Sequence, residues 1–370
     1  MCSFMLNPIR FPMDKINTTR YYIPGFDGLR AIAVLAVFAA HFPLLQEKLG
    51  FEAPLNRLAF FNYTGGRTGV ILFFILSGFL ITTLLLREQE QTNSINLKRF
   101  YLKRMLRIWP IYYLILLAVA FLASDSHPET WVLCLLIFPN VANSAGHTLV
   151  LSPHLWSIGA EEQFYLIWPF LVKRGRKYLK LILWGIFLFF AILPTVVILV
   201  VPDQISWKVE LLRLLYLTKF NCFAMGGLAA LWVNEHAEDI GSKTIIRFLA
   251  YLLFVLTLTL WVIGIGAGRF TDEFYGLLFT ALLICLSLYP NCIPQLENRF
   301  IRYLGRISYG IYIYHWLLII LSLKLCAGLG HSWNAWTGFF VALGLTIGVS
   351  ALSFRYFERY FLNKKQLLDR

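Results

Sequence analysis

Long apolar runs alternate along this chain with short stretches in which the charges collect. A helix needs about twenty apolar residues to cross the roughly 30 Å hydrocarbon core of a bilayer. Ten stretches meet or approach that length: near 28–44, 69–86, from about Trp109 to Ala123, from His154 to about Lys173, and near 181–201, 214–233, 246–266, 273–290, 307–325 and 335–356. The pattern predicts an all-α, polytopic membrane protein of about ten transmembrane helices. The apolar piece Trp131 to Phe138 is too short to cross and is expected at the interface or as a re-entrant segment. Pro110 falls at the start of the third span, where its missing N–H would be unpaired in any case.

The basic residues fix the orientation of these spans. Lys98, Arg99, Lys103, Arg104 and Arg107 lead into the third span, and Lys173, Arg174, Arg176 and Lys177 follow the fourth. Between Ile108 and Val172 there is no lysine or arginine, which assigns the connection from Ser124 to Pro153 to the outer side under the positive-inside rule. Twenty-five of the 33 lysines and arginines then fall inside, six outside, and Lys219 and Lys324 within spans. Both termini are expected to be cytoplasmic. The organisation is an N-terminal segment 1–22, one membrane domain 23–361 and a tail 362–370, with no internal repeat.

Composition narrows the class further. The 370 residues are 58% hydrophobic and 14% charged, where a soluble protein carries about a quarter charged residues. A net charge of +13 would fit nucleic acid, but here it resides in alternate loops and reads as topology, so no nucleic-acid partner is expected. The six cysteines lie singly without CxxC spacing and read as packing residues. The first twenty residues lack the charged, apolar and cleavage regions of a removable signal peptide, and Met13 is an alternative start.

Five polar clusters remain that topology alone does not require. In the first span, Arg30 and His41 lie eleven residues apart. At about 100° per residue this returns nearly to the same helix face, and at 1.5 Å rise it separates them by about 16 Å. Ionisable groups in a lipid-spanning helix are rare unless they line an internal cavity, so this helix is a candidate functional wall. A snorkelling arginine and an interfacial histidine would look the same. Arg104 and Arg107 share a face and present forked donors suited to phosphate, as would an ordinary topology anchor. The fourth span opens with His154-Leu-Trp156-Ser-Ile-Gly-Ala-Glu161-Glu162-Gln-Phe-Tyr165. Helix capping explains one carboxylate near an N-terminus but hardly a pair one turn in, beside a polar, aromatic stripe. Ser308, Tyr312 and His315 share a face of the ninth span, where a packing histidine and a catalytic one are both compatible with the pattern. At the inner end of the last span, Glu358 is expected to pair with a nearby arginine such as Arg30.

Taken together and in this order, the clusters resemble the acyltransferase-3 family of integral-membrane O-acyltransferases, over about Ile23 to Phe361. The resemblance is carried by Asp27-Gly28-Leu29-Arg30 with His41, Phe73-Phe-Ile-Leu-Ser77-Gly78-Phe79, Arg104-x-x-Arg107, the Trp156 to Tyr165 block, and Ser308-Tyr309 leading to His315. One departure is Tyr360, where the family often has proline two residues after the glutamate; it leaves the end of the last helix open.

The resemblance implies acyl transfer, commonly acetyl from acetyl-CoA, onto a hydroxyl of a carbohydrate or glycosylated acceptor such as O-antigen or other lipopolysaccharide, exopolysaccharide or peptidoglycan. Acyl-CoA is then a co-substrate with no permanently bound cofactor and no metal, and the location is the inner (cytoplasmic) membrane. Arg30, Arg104 and Arg107 suit the phosphates of CoA, and the pantetheine arm has the length to reach His41. A sugar hydroxyl is a poor nucleophile at neutral pH, so a positioned imidazole helps; that role falls to His41, and direct attack and a transient acyl-histidine are both compatible with it. Glu161, or else Glu162, would hold its tautomer. Asp27, Ser77, Trp156, Tyr165, Tyr312, His315 and Glu358 are substrate or structural candidates. Two rivals are weighed against this reading. A transporter or flippase should show repeat symmetry or broken helices at corresponding places. A metal-dependent hydrolase using His127, His147 and His154 should show HExxH-type spacing.

Overall fold

The computed structural model describes residues 22–122, 127–236, 242–328 and 334–367. The expected N-terminal segment (except Tyr22), the Met13 start and the last three residues of the tail lie outside the described residues. Fifteen α-helices follow one another among the described residues, with no strand. They are α1 (Phe26–Lys48), α2 (Tyr63–Thr92), α3 (Leu97–Leu122), α4 (Pro128–Leu135), α5 (Pro139–Ser144), α6 (Trp156–Gly175), α7 (Leu179–Val200) and α8 (Trp207–Thr218). The remainder are α9 (Phe220–His236), α10 (Lys243–Ile263), α11 (Thr271–Leu288), α12 (Arg299–Arg306), α13 (Ser308–Gly328), α14 (Ala335–Ser353) and α15 (Arg359–Leu367).

Counting α8 with α9 and α14 with α15 as continuous runs, nine of these are long and apolar enough to cross a membrane. The tenth expected span is α6, whose 20 residues reach about 30 Å. Glu161, Glu162, Lys173 and Arg174 make it too polar to count on composition alone. Large apolar side chains stand exposed along α7 (Leu181, Leu199), α10 (Phe248, Leu252, Val255) and α14 (Phe340), as faces toward lipid require. The chain is a multi-pass, all-α membrane protein.

Inside that ring the helices approach closely because glycine removes the side chain where they cross. A Cβ at Gly78 of α2 would lie 2.1 Å from the Phe223 carbonyl oxygen of α9, and one at Gly226 of α9 would lie 2.1 Å from that of Ile75. This reciprocal contact is the small-residue packing that lets membrane helices gain dispersion contacts where no hydrophobic drive exists between them. At the other end of α1, a Cβ at Gly305 would lie 1.9 Å from the Asp27 carbonyl oxygen, and one at Gly28 would lie 2.5 Å from that of Leu296. The Asp27-Gly28 pair is therefore seated on α12 and on the Pro294–Glu297 turn that precedes it.

The structure departs from the expected spans in three places. Pro110 lies inside α3, which begins at Leu97, so it does not open a helix but leaves the Leu106 carbonyl without its usual donor. The expected span 214–233 is broken at Lys219, which adopts φ 47° and separates α8 from α9. The last span does not stop near 356: it passes through a π-helical turn, Phe354–Glu358, into α15. The piece Trp131 to Phe138 is mostly the eight-residue helix α4, tethered to α3 by Tyr112 Oη donating to the Cys134 carbonyl (2.7 Å) and Tyr113 Oη to that of Leu135 (2.9 Å).

Candidate active site

Three cavities follow α2 in succession. Its periodicity presents Leu80, Ile81 and Leu84 to a chamber of about 570 Å³, Phe73, Phe74 and Ser77 to one of about 90 Å³, and Arg67 and Val70 to one of about 310 Å³. From Leu84 to Arg67 the helix rises about 26 Å, most of the thickness of a bilayer core. Helix α1 forms a second wall, with Arg30 between the first two chambers and His41 in the third.

The large chamber is an arginine-rich mouth. Arg30, Arg104 and Arg107 line both it and the narrow chamber, and Arg302 and Arg306 join them at its rim. The two arginines of α3 thus lie on one face, as their spacing requires. Arg30 pairs with Asp27 one turn back, at 3.0 Å. Glu358 lines the same chamber but accepts from Ser353 Oγ (3.4 Å), so the expected Arg30–Glu358 pair is replaced by Arg30–Asp27. The reason is local: Asp27 shares α1 with Arg30, whereas Glu358 is carried on the π-helical turn.

The narrow chamber is organised by Glu161. Ser77 Oγ donates to Glu161 Oε1 at 2.6 Å and Tyr165 Oη donates to the same oxygen. The Arg104 guanidinium lies over the Tyr165 ring, 5.4 Å from its centroid. Glu161 therefore serves the arginine end of the path. Glu162 points away from it and accepts from Trp109 Nε1 at 3.1 Å.

The third chamber holds His41, with Trp156 and Tyr312 in its wall. His41 Nδ1 lies 2.7 Å from His315 Nε2, and the two rings are nearly parallel. His315 Nδ1 lies 2.5 Å from the Tyr312 carbonyl oxygen. A carbonyl only accepts, so His315 carries its hydrogen on Nδ1, and with both rings neutral its Nε2 must accept from His41 Nδ1–H. His41 is left with its lone pair on Nε2. Tyr312 Oη in turn donates to the His154 carbonyl (3.0 Å) and meets Ser157 Oγ at 2.6 Å, holding α13 to the start of α6. His154 packs on His315, ring centroids 4.6 Å apart, and its Nε2 donates to the Ile313 carbonyl at 3.2 Å.

This geometry corrects the expected partner of His41. Neither Glu161 nor Glu162 reaches the imidazole; Glu161 is engaged by Ser77 and Tyr165, and the tautomer is set by His315. Sequence reasoning also missed Arg67 and Asp272, which with Lys219 form a largely buried ionic cluster in the wall of the third chamber. Arg67 Nε meets Asp272 Oδ1 at 2.6 Å, and Lys219 Nζ pairs with Asp272 Oδ2. The available signal was a lysine within an apolar run, which demands a partner.

Comparison with known proteins agrees with the motifs. The chain is 31% identical to the peptidoglycan O-acetyltransferase OatA of Listeria monocytogenes over 92% of its own length and 56% of that protein. It is 29% identical to YrhL of Bacillus subtilis, named as a candidate peptidoglycan O-acetyltransferase, over 81% of this chain and 49% of that one. With a candidate O-acetyltransferase of Staphylococcus aureus it shares 27% identity over 92% of this chain and 57% of the other. The chain spans about half the length of the curated relatives it matches. No solved structure matches it. Residues 23–355, which carry the helices that line the three chambers apart from α15, match the acyltransferase domain, and the chain belongs to that acyltransferase-3 family.

Proposed function

We propose that the chain is an integral-membrane O-acyltransferase that moves an acyl group, acetyl by preference, from acyl-CoA to a hydroxyl of a carbohydrate or glycoconjugate. The single observation that supports it most is the placement of His41: an imidazole held through Nδ1 by His315 Nε2, in a chamber at the far end of a path that begins among arginines. The positive-inside distribution supports an orientation with the arginine mouth toward the cytosol and His41 toward the outer side. Acyl-CoA then enters from the cytosol with its phosphates on Arg30, Arg104 and Arg107, and its arm passes the narrow chamber. The acceptor occupies the third chamber; the names of the relatives favour peptidoglycan over other envelope glycans.

In the transfer step, His41 Nε2 takes the proton of the acceptor hydroxyl as that oxygen adds to the thioester carbonyl carbon. The tetrahedral adduct collapses with cleavage of the C–S bond, and His41 returns the proton to the departing sulfur, giving an ester and the free thiol of CoA. His315 keeps the ring in the required tautomer and accepts from the imidazolium that forms transiently. General acid–base assistance of this kind contributes about 10²- to 10⁴-fold.

The test is transfer of radiolabelled acetyl from acetyl-CoA to glycan acceptors by the full chain in lipid nanodiscs. His41→Ala should remove at least about 10²-fold of the activity while the protein still inserts and elutes as a single species. Near-normal turnover by a correctly inserted variant would eliminate His41 as the base.

A further inference from the structure

The third chamber, about 310 Å³ in volume, carries a feature that transfer to a hydroxyl does not by itself require. Its size is at the lower end of small-molecule sites, about 300–1,000 Å³, and suits one sugar unit. Among the described residues that line it, the ionised side chains are Arg67 and Lys219. Both are cations, and both are tied to the single carboxylate of Asp272 behind the wall. Glu273, the neighbouring carboxylate, is engaged by the Asn221 amide at 2.7 Å and does not form part of the wall.

Lys219 is only 2% exposed and Asp272 only 6%. Lys219 and Asp272 are buried and Arg67 is part-buried, and one carboxylate serves both cations, which keeps the charge of the chamber wall positive. The Tyr216 ring adds to the balance, with Lys219 Nζ 3.9 Å and the Arg67 guanidinium 4.8 Å from its centroid. Lys219 reaches this place only because the chain turns at φ 47° between α8 and α9. His41 stands in the same chamber as these cations, so one small molecule can present a hydroxyl to the imidazole and an anionic group to Lys219 and Arg67.

We propose that this chamber is built for an acceptor that carries an anionic group, a carboxylate or a phosphate, on the sugar unit that is acylated, and that Lys219 and Arg67 hold that group while Tyr216 and Trp156 flank the ring. The inference rests on the O-acyltransferase reading and deepens it by naming the acceptor class.

The experiment compares three soluble acceptors with the wild-type protein in nanodiscs: N-acetylglucosamine, which is neutral; N-acetylmuramic acid, which adds a carboxylate; and N-acetylglucosamine 1-phosphate. The expected result is a preference in kcat/KM of about tenfold or more for one or both anionic acceptors over the neutral one. The carboxylate and phosphate arms identify which anion the chamber takes. Lys219→Met leaves a one-to-one Arg67–Asp272 pair, so no buried charge is orphaned, and it should lower the preference to about twofold or less by raising KM for the anionic acceptor. Equal use of neutral and anionic acceptors by the wild-type protein would overturn the inference and leave acyl transfer standing, and so would an undiminished preference in Lys219→Met. If the wild-type protein consumes no acetyl-CoA with any acceptor, the O-acyltransferase reading fails and the inference falls with it.

Discussion

Replacing His315 tests the geometry at its most specific point. His315→Phe keeps a flat ring against His154 and Trp316, with which His315 now packs at centroid distances of 4.6 and 6.4 Å. It removes the acceptor that lies 2.7 Å from His41 Nδ1. The orphaned N–H costs about 1–3 kcal/mol in a buried site, and the ring escapes that cost by changing tautomer or turning away. Either escape withdraws the basic Nε2 from the acceptor. At 1.36 kcal/mol per decade, the productive population and therefore kcat should fall about 5- to 150-fold. The Michaelis constant for acyl-CoA should stay unchanged, because the arginine mouth lies at the other end of α1. His315→Gln restores an amide oxygen near the same position and should recover part of the loss. Steady-state acetyl transfer, with acetyl-CoA and acceptor varied separately, reads both quantities. If His315→Phe retained wild-type kcat while Glu161→Gln lost it, the carboxylate and not the second imidazole would be the partner of His41.

Two further predictions concern the donor end and the orientation. Arg104→Ala and Arg107→Ala should each raise the dissociation constant for acyl-CoA about tenfold or more, since each removes a charge-assisted phosphate contact of about 1.5–3 kcal/mol; calorimetry on the purified protein reads it, lysine replacements should recover only part, and wild-type affinity in both would return the pair to a topology role. For sidedness, Ser94 and Ala145 are both exposed, whereas Ser144 is buried and donates to the Val141 carbonyl at 2.7 Å. In a background without the native cysteines, a cysteine at Ala145 should react with impermeant maleimide in intact cells and one at Ser94 only after lysis; the reverse pattern would put the arginine mouth outside, away from CoA.

Much of the fold was legible because bilayer thickness is a strong local constraint on sequence. The path at the arginine end was legible too, since Arg104 and Arg107 are three residues apart on one helix and Arg30 is set by its spacing from His41. What the sequence concealed depends on contacts between distant segments. His41 and His315 are 274 residues apart, and no local periodicity encodes that α1 meets α13 there. Charge complementarity instead favoured a carboxylate partner, and Glu161 was the obvious one; its true neighbours, Ser77 and Tyr165, depend on the register of α2 against α6. Lys219 stood out as a charge within an apolar run, but Asp272 lies 53 residues away and at the start of a span, where acidic residues are ordinary helix-end features. Gly78 and Gly226 were visible as glycines in spans, yet their use as a backbone-to-backbone crossing required both helices at once.

The narrow chamber has a consequence for the membrane itself. A route with aqueous mouths on both faces is a potential short circuit for ions and protons, and a cell that holds a voltage across its membrane must insulate it. At about 90 Å³ the middle chamber is the smallest of the three, and Val70, Phe73, Phe74 and Ile158 form apolar parts of its wall. A hydrated ion would have to shed part of its shell to pass, at a penalty of several kcal/mol, whereas an uncharged chain sheds water only from polar groups that the serines and tyrosines of the wall can partner. On the proposed route the constriction therefore narrows the water column between the two mouths, and the arginine charge at its inner end repels cations, so that an acyl group would cross with less leak of ions than an open pore allows.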